Sequence, residues 1–103
     1  MQSIKITGVH YHLSEQAKVY ITEKLGSLDR LYPRLSSLHV TIHQSSKEGF
    51  RVDVDMHLPT GKDVVAHDTE STLHAAIDAV AGKCAAQLRK IHGRESEPMR
   101  MRA

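Results

Sequence analysis

The sequence predicts an α+β domain with the element order β-α-β-β-β-α, folded as a two-layer sandwich in which a four-stranded sheet carries both helices on one face. Three observations lead to this prediction. Alternating apolar and polar residues mark four strands, two apolar stripes with helical spacing mark two helices, and 103 residues suffice for one core only. Because 40% of the residues are hydrophobic, the chain is expected to fold rather than remain disordered.

The first third of the chain contains one strand and one helix. Ile4 and Ile6 alternate with polar neighbours until Gly8, which predicts a short strand with one buried face. Ser14 is a suitable N-cap for the helix that follows. Pro33 is expected to end that helix, because proline disfavours helical conformation in the preceding residue. The helix has an apolar stripe formed by Ala17, Ile21, Leu25, Leu28 and Tyr32.

Three further strands are predicted over residues 38–43, 50–58 and 63–67. The polar stretch 44–49 and the turn 59–62 connect them, so they are expected to pair as an antiparallel meander. A helix separates the strand at residues 38–43 from the first strand, which predicts that these two are parallel with a right-handed crossover. The outward face of the sheet would carry histidines, aspartates and Arg51.

The last element is a long amphipathic helix, predicted from about Ser71 to His92. Gly93 is expected to be its C-cap. The domain is therefore predicted to cover residues 1–92, and residues 93–103 are expected to form a short basic tail, a candidate for disorder. The apolar stripe of this helix consists of Leu73, Ile77, Val80, Cys84, Leu88 and Ile91.

Positive charge is concentrated at the C-terminal end. Residues 1–82 hold 8 basic and 10 acidic side chains, whereas residues 83–103 hold 6 basic and 2 acidic ones. This asymmetry is typical of an end that faces a polyanion, although cations late in a helix also complement its dipole. At about 100° per residue, Lys83, Lys90 and Arg94 fall on one flank of the helix. Gln87 lies between this flank and the apolar stripe, and Arg89 projects from the far side.

The composition excludes several classes of function. Phe50 and three tyrosines are too few aromatics for the stacking platforms of single-strand RNA readers, so any nucleic-acid contact is expected through charge and shape. The single cysteine, Cys84, excludes an internal disulfide and a multi-cysteine zinc site. No apolar run reaches the length of a signal segment or a membrane span, and a cytoplasmic location is predicted.

Metal binding and catalysis are weaker hypotheses. The chain has 8 histidines, which would suit zinc. However, His39 and His43 would lie about 13 Å apart along one strand, too far to hold one ion directly. Neither Ser45 nor Cys84 has a recognisable base-and-orienter arrangement, and the buried stripe is expected to hold Cys84. We therefore predict no cofactor and no enzymatic activity. Exposed histidines could still strengthen RNA binding as the pH falls, because imidazolium adds positive charge.

Four segments resemble the ribosome hibernation-promoting factor family, which includes the ribosome-associated translation inhibitors. They are Met1–Gly8, Ile21–Leu28, His57–Gly61, and Leu73–Val80 continued by Lys83 and Gln87–Lys90. The similarity spans residues 1 to about 92 and is to the short forms of the family, without the dimerising second domain of the long forms. The fold implied is similar to that of double-stranded-RNA-binding domains.

The resemblance implies a translation inhibitor that keeps idle ribosomes inactive in stress and stationary phase. It would dock in the small-subunit channel for messenger RNA and tRNA, where it would contact ribosomal RNA. The free protein would be a monomer and would not contact a membrane. The family commonly has tyrosine at the position of His74 and more lysines after Lys90, so a distal RNA contact would fall to Arg94 or the tail arginines. The residues implied in RNA contact are Lys24, Lys83, Gln87, Arg89, Lys90 and Arg94.

The alternative hypothesis is a protein–protein interaction module with a solvated basic helix and no role in RNA binding. The affinity of such a module for its partner would not depend on salt concentration and would persist after nuclease treatment. Phosphate contacts, in contrast, weaken steeply as the salt concentration rises.

Overall fold

The structure is a computed structural model that describes the backbone of residues 3–101 and the side chains of residues 3–93. The predicted element order and the four-stranded sheet are confirmed, with the first helix divided in two. Within the described residues the elements are β1 Ser3–Val9, α1 Glu15–Gly26, α2 Leu28–Leu31, β2 Ser37–Ser45, β3 Gly49–His57, β4 Asp63–Glu70 and α3 Leu73–Met101.

The sheet has the strand order β1-β2-β3-β4. β1 and β2 are parallel, with Ile6 opposite Val40, while β2, β3 and β4 form the predicted antiparallel meander. One face of the sheet is apolar, and the helices cover it because their own apolar stripes need the same burial. The core includes Leu38, Val40, Ile42, Val52, Val54, Met56 and Ala66 from the sheet, and Ile21, Leu25, Leu28, Ile77, Val80, Cys84 and Leu88 from the helices.

The first helical region begins as predicted but does not run unbroken to Pro33. The Ser14 hydroxyl accepts a hydrogen bond from the backbone N–H of Ala17 at 3.1 Å, which caps α1. α1 ends at Gly26, and the Ser27 hydroxyl donates to the carbonyl oxygen of Lys24 at 2.8 Å. Glycine followed by a serine that bonds the local backbone favours an interruption, and Ser27 keeps helical backbone angles there. The predicted helical region before Pro33 is therefore confirmed, with a one-residue interruption that the sequence did not predict.

α3 starts two residues later than predicted and continues beyond the predicted end. The Thr72 hydroxyl accepts from the N–H of Ala75 at 3.2 Å, so Thr72 caps the helix start. Gly93 lies inside α3 and does not adopt a positive φ, so its prediction as a C-cap was wrong. One glycine costs about 1 kcal/mol inside a helix, which is too little to end a helix of 29 residues.

The division into residues 1–92 and a tail at 93–103 stays a prediction. Among the described residues, no helix combines the length and the apolar character that crossing a membrane requires.

Candidate nucleic-acid interface

Helix α3 presents two polar flanks on either side of its buried stripe. The helix packs on β3 and β4 and contacts α1 and α2. Lys83, Gln87 and Lys90 lie on the flank beside β4, which we call the β4 flank. Asp78 contacts α1, and Arg89 follows three helical turns later on that same side, the α1 flank.

Lys83 and Gln87 are attached to the free edge of the sheet. The Lys83 ammonium donates to the carbonyl oxygen of His67 at 2.9 Å and lies 3.2 Å from Oδ2 of Asp68. Gln87 Nε2 donates to the carbonyl oxygen of Val65 at 3.4 Å. Because β4 is an edge strand, these carbonyls would otherwise be open to a further strand. Both side chains therefore have a structural role whether or not they contact RNA.

The ion pair of Lys83 also changes the acidity of its partner. The hydrogen bond from Lys83 holds the pKa of the Asp68 carboxyl below its ordinary value, and it outweighs the opposing effect of desolvation. The second oxygen of Asp68 accepts from the backbone N–H of Thr69 at 2.8 Å. The Asp68 carboxylate is thus held ionised, and it neutralises much of the charge of Lys83.

All three of Lys83, Arg89 and Lys90 are exposed, but the side chains of Arg89 and Lys90, unlike that of Lys83, form no hydrogen bond or ion pair with the described part of the chain. Lys90 lines a groove opposite Lys62, which is also exposed and unpaired among the described residues. The sequence did not indicate Lys62 as a candidate for RNA contact. Its only signal is its place at the end of the turn formed by residues 59–62, and sequence alone does not indicate that this turn faces α3.

Lys24 is held between α1 and α3. Its ammonium lies 3.7 Å from Oδ1 of Asp78 and 5.8 Å from the centroid of the Tyr20 ring. The Tyr20 hydroxyl donates to the same Oδ1 at 2.6 Å, and this hydrogen bond raises the pKa of Tyr20. The Tyr20 ring also lies 4.1 Å, centroid to centroid, from the ring of His74. Asp78 therefore offsets the charge of Lys24 in the free protein.

The surface of α3 between its two flanks is formed by small residues. Gly82 and Ala86 are exposed, and a Cβ added at Gly82 would meet nothing within 4 Å. A bulky ligand can therefore approach the helix backbone closely between the flank of Lys90 and that of Arg89. We call this surface the small-residue ridge; it consists of Ala75, Ala79, Gly82 and Ala86.

Further cations lie at the end of the molecule where Leu88 to His92 pack. The ring of Tyr32 meets the ring of His92 at 6.1 Å, which brings the segment after α2 to this end. Asp63, also at this end, is 2.7 Å from Nδ1 of His57 and so has a partner on β3. We use the name basic pole for the set Arg30, Arg34, Lys62, Arg89 and Lys90.

The six residues predicted for RNA contact do not form one cluster. Arg89 and Lys90 belong to the basic pole, and the Arg94 side chain lies outside the described residues. Three of the six have partners within the protein, namely Lys24, Lys83 and Gln87.

On the outward face of the sheet, Asp53 is the centre of a small group of ionisable side chains. Asp53 lies 3.3 Å from His43 and 3.1 Å from Arg51. Among the described residues, no group of three or more histidine, cysteine, aspartate or glutamate side chains could hold a metal ion. Cys84 is fully buried, as its position in the stripe predicted, and burial raises the pKa of its thiol to about 12.

These features define a class of protein: a small two-layer α+β domain with a basic pole around the part of a long helix that contains Arg89 and Lys90. The chain belongs to the family described as Sigma 54 modulation protein / S30EA ribosomal protein, whose family model matches residues 4–96. The resemblance found in the sequence is therefore confirmed at the level of the family.

Relatives and solved structures agree with this assignment. The chain is 30% identical over 87 residues to the ribosome hibernation promoting factor of Pseudomonas putida. The aligned region covers 84% of this chain and 83% of that protein. The chain is 29% identical over 98 residues to the ribosome hibernation promotion factor of Deinococcus radiodurans, covering 91% of this chain and 51% of that protein.

Two solved structures have the same fold. A ribosomal subunit interface protein from Coxiella burnetii matches with a TM-score of 0.81 at 23% identity, covering 89% of this chain and 99% of that one. The N-terminal domain of Protein Y from Thermus thermophilus matches with a TM-score of 0.77 at 25% identity, covering 88% and 99%.

Proposed function

We propose that this protein is a ribosome-binding hibernation factor that occupies the small-subunit channel for messenger RNA and tRNA and keeps idle ribosomes inactive. Membership of the family and the names of the relatives support the ribosome as partner. The protein would act by occupying space, without catalysis. Its contacts would be mainly to phosphates of ribosomal RNA. The chain has exposed lysines and arginines without a partner among the described residues, but few aromatic side chains for stacking on bases.

The observation that carries the RNA contact is the position of Arg89 and Lys90 on opposite sides of the small-residue ridge. Both are exposed and lack a partner among the described residues, so neither has to break an ion pair to bind a phosphate. The low ridge between them lets an RNA backbone approach the helix. Lys83 and Lys24 would contribute less, because each already faces a carboxylate.

Co-sedimentation with purified small subunits in a sucrose gradient tests this proposal. The charge-reversal variant Arg89→Glu/Lys90→Glu is expected to bind at least about tenfold more weakly than the unchanged protein. The matched control is Lys5→Glu/Lys47→Glu, which changes the net charge equally. The side chains of Lys5 and Lys47 are exposed and unpaired among the described residues. Lys5 lies on the sheet face opposite the helices, and Lys47 lies in the turn between β2 and β3.

Equal losses in the two variants would mean that only net charge matters, and no loss in either would remove α3 from the contact. Binding that persists at high salt and after nuclease treatment would favour the protein–protein module instead.

The location in the channel needs a separate experiment. If the protein occupies the tRNA path, it should compete with tRNA for small subunits programmed with messenger RNA, and it should inhibit in-vitro translation at a molar excess over ribosomes. The Arg89→Glu/Lys90→Glu variant should do neither. If the protein binds the ribosome but does not compete with tRNA, the ribosome is still its partner, and the proposed location in the channel is contradicted.

A further inference from the structure

A groove runs between the β4 flank of α3 and the turn that joins β3 to β4. Its volume is about 950 Å³, within the range of about 300–1,000 Å³ that is usual for small-ligand sites. The floor is aliphatic, and the two walls carry Lys62 on the turn and Lys90 on the helix. The floor residues are Leu58, Val64 and Ile91, and Val65 contributes its backbone carbonyl, because its own side chain lies on the outward face of the sheet.

An added peptide strand is a poor occupant for this groove. A peptide that extends the sheet along β4 would need the outward carbonyls of the edge strand. The carbonyls of Val65 and His67 already accept hydrogen bonds from Gln87 and Lys83. Strand addition would therefore have to displace two side-chain contacts, whereas a ligand that leaves the strand backbone alone would not.

The positive charges of Lys62 and Lys90 favour an anionic ligand in this groove. Lys62 and Lys90 have no ion pair among the described residues, and the one carboxylate in the lining, Asp63, is 2.7 Å from His57. An apolar floor between two free cations suits a ligand with a flat apolar part joined to a phosphate. A nucleotide whose base has left its stack has this composition.

We propose that the groove binds one unpaired nucleotide of ribosomal RNA, with its base on the aliphatic floor and its phosphate between Lys62 and Lys90. This inference rests on the proposed function and adds to it a base pocket and a new RNA-binding residue, Lys62. The polar groups in the lining, the Thr60 hydroxyl and the Gln87 amide oxygen, can bond the edge of the base.

The test is an NMR titration of the isotopically labelled full chain with mononucleotides, which does not depend on the ribosome. Adenosine monophosphate is the probe, and ribose 5-phosphate is the matched ligand without a base. Saturable shifts of the Val64, Val65 and Ile91 amides are expected with the nucleotide. Binding should be at least about fivefold tighter than that of ribose 5-phosphate, because the base adds its own contact with the floor.

Two variants with matched controls locate the site. Thr60→Glu is expected to weaken nucleotide binding about tenfold by placing a carboxylate in the lining of the groove beside the phosphate. Its control is Thr22→Glu on α1, since Thr60 and Thr22 are both exposed and Thr22 lies outside the groove. Lys62→Met should weaken binding severalfold, whereas Lys47→Met in the other strand-connecting turn should not.

The outcomes separate this inference from the proposed function. Equal binding of the nucleotide and ribose 5-phosphate would overturn the base pocket. So would an acidic, leucine-containing peptide that shifts the same amides when the nucleotide does not. If these results come with intact small-subunit binding, the proposed function stands without the groove. Nucleotide binding in the groove without small-subunit binding would keep the pocket and contradict the proposed function.

Discussion

The ammonium group of Lys83 lies 3.2 Å from the carboxylate of Asp68, so this lysine is neutralised within the free protein. Lys90, two helical turns further along the same flank, has no such partner among the described residues. Two lysines that are equivalent in a helical projection therefore have different roles. Lys83 attaches α3 to the edge strand, and Lys90 is free to bind a ligand.

This difference predicts unequal effects of the two lysines on stability. Lys83→Met keeps the aliphatic stem but loses the hydrogen bond to His67 and the ion pair, so the free energy of unfolding should fall by about 1 kcal/mol. Lys90→Met should change it by less than about 0.5 kcal/mol. Urea denaturation of the two variants measures both values, and equal effects would contradict the assignment.

Substitution of Lys83 by glutamate is a poor test of RNA binding for the same reason. It would place a second carboxylate beside Asp68, and a loss of binding could then follow from a loosened helix.

The Asp68 carboxyl predicts how stability depends on pH. Its pKa is lower in the folded protein than the ordinary 3.8, so its contribution is complete above that value and is lost as the pH falls through the folded pKa. The stability difference between the unchanged protein and Asp68→Asn should be constant above about pH 5 and shrink below about pH 4. Urea midpoints across this range measure it, and a difference that grows on acidification would contradict the ion pair.

The fold was largely predictable because burial imposes a period on the sequence. Ile77, Val80 and Leu88 recur at helical spacing, and all are fully buried. Alternation in β3 likewise placed Val52 and Val54 in the core. The end of α3 was not predictable from Gly93, because a glycine inside a helix differs from a C-cap only in its backbone angles.

The candidate site was predictable only in part, because ion pairs depend on neighbours that are distant in the sequence. Asp68 meets Lys83 only once α3 packs along the edge of β4, and Asp78 meets Lys24 only once α1 packs against α3. A count of charges treats all these lysines alike. Lys62 was missed because its position opposite α3 follows from the sheet register, which puts His57 opposite Asp63.

Asp78 is expected to weaken RNA binding by neutralising Lys24. Asp78→Asn removes the charge but keeps an oxygen that can accept from the Tyr20 hydroxyl, so the contact between α1 and α3 should survive. The freed Lys24 should raise affinity for small subunits severalfold. It should also steepen the slope of log K against log salt by up to about 0.9, the value for one added phosphate contact.

Glu48→Gln is the matched control for Asp78→Asn, because Glu48 is exposed in the turn between β2 and β3 and its loss changes the net charge equally. Binding measured over a series of salt concentrations gives both quantities. Equal gains in the two variants would mean that Lys24 makes no local contact.

The small-residue ridge predicts that two substitutions at Gly82, which both favour the helix, differ in their effect on RNA binding. Gly82→Ala should raise the free energy of unfolding by about 0.5–1 kcal/mol, because alanine is the better helix former and its Cβ meets no atom. It should leave small-subunit binding unchanged. Gly82→Gln also favours the helix, but its long side chain would stand on the ridge about two helical turns before Arg89 and Lys90. It would keep an RNA backbone that follows the ridge away from the helix, so binding should weaken severalfold. Thr22→Gln, an exposed position on α1, should leave binding unchanged. If the Gly82→Gln protein binds as tightly as the Gly82→Ala protein, the RNA backbone does not follow the ridge past Gly82.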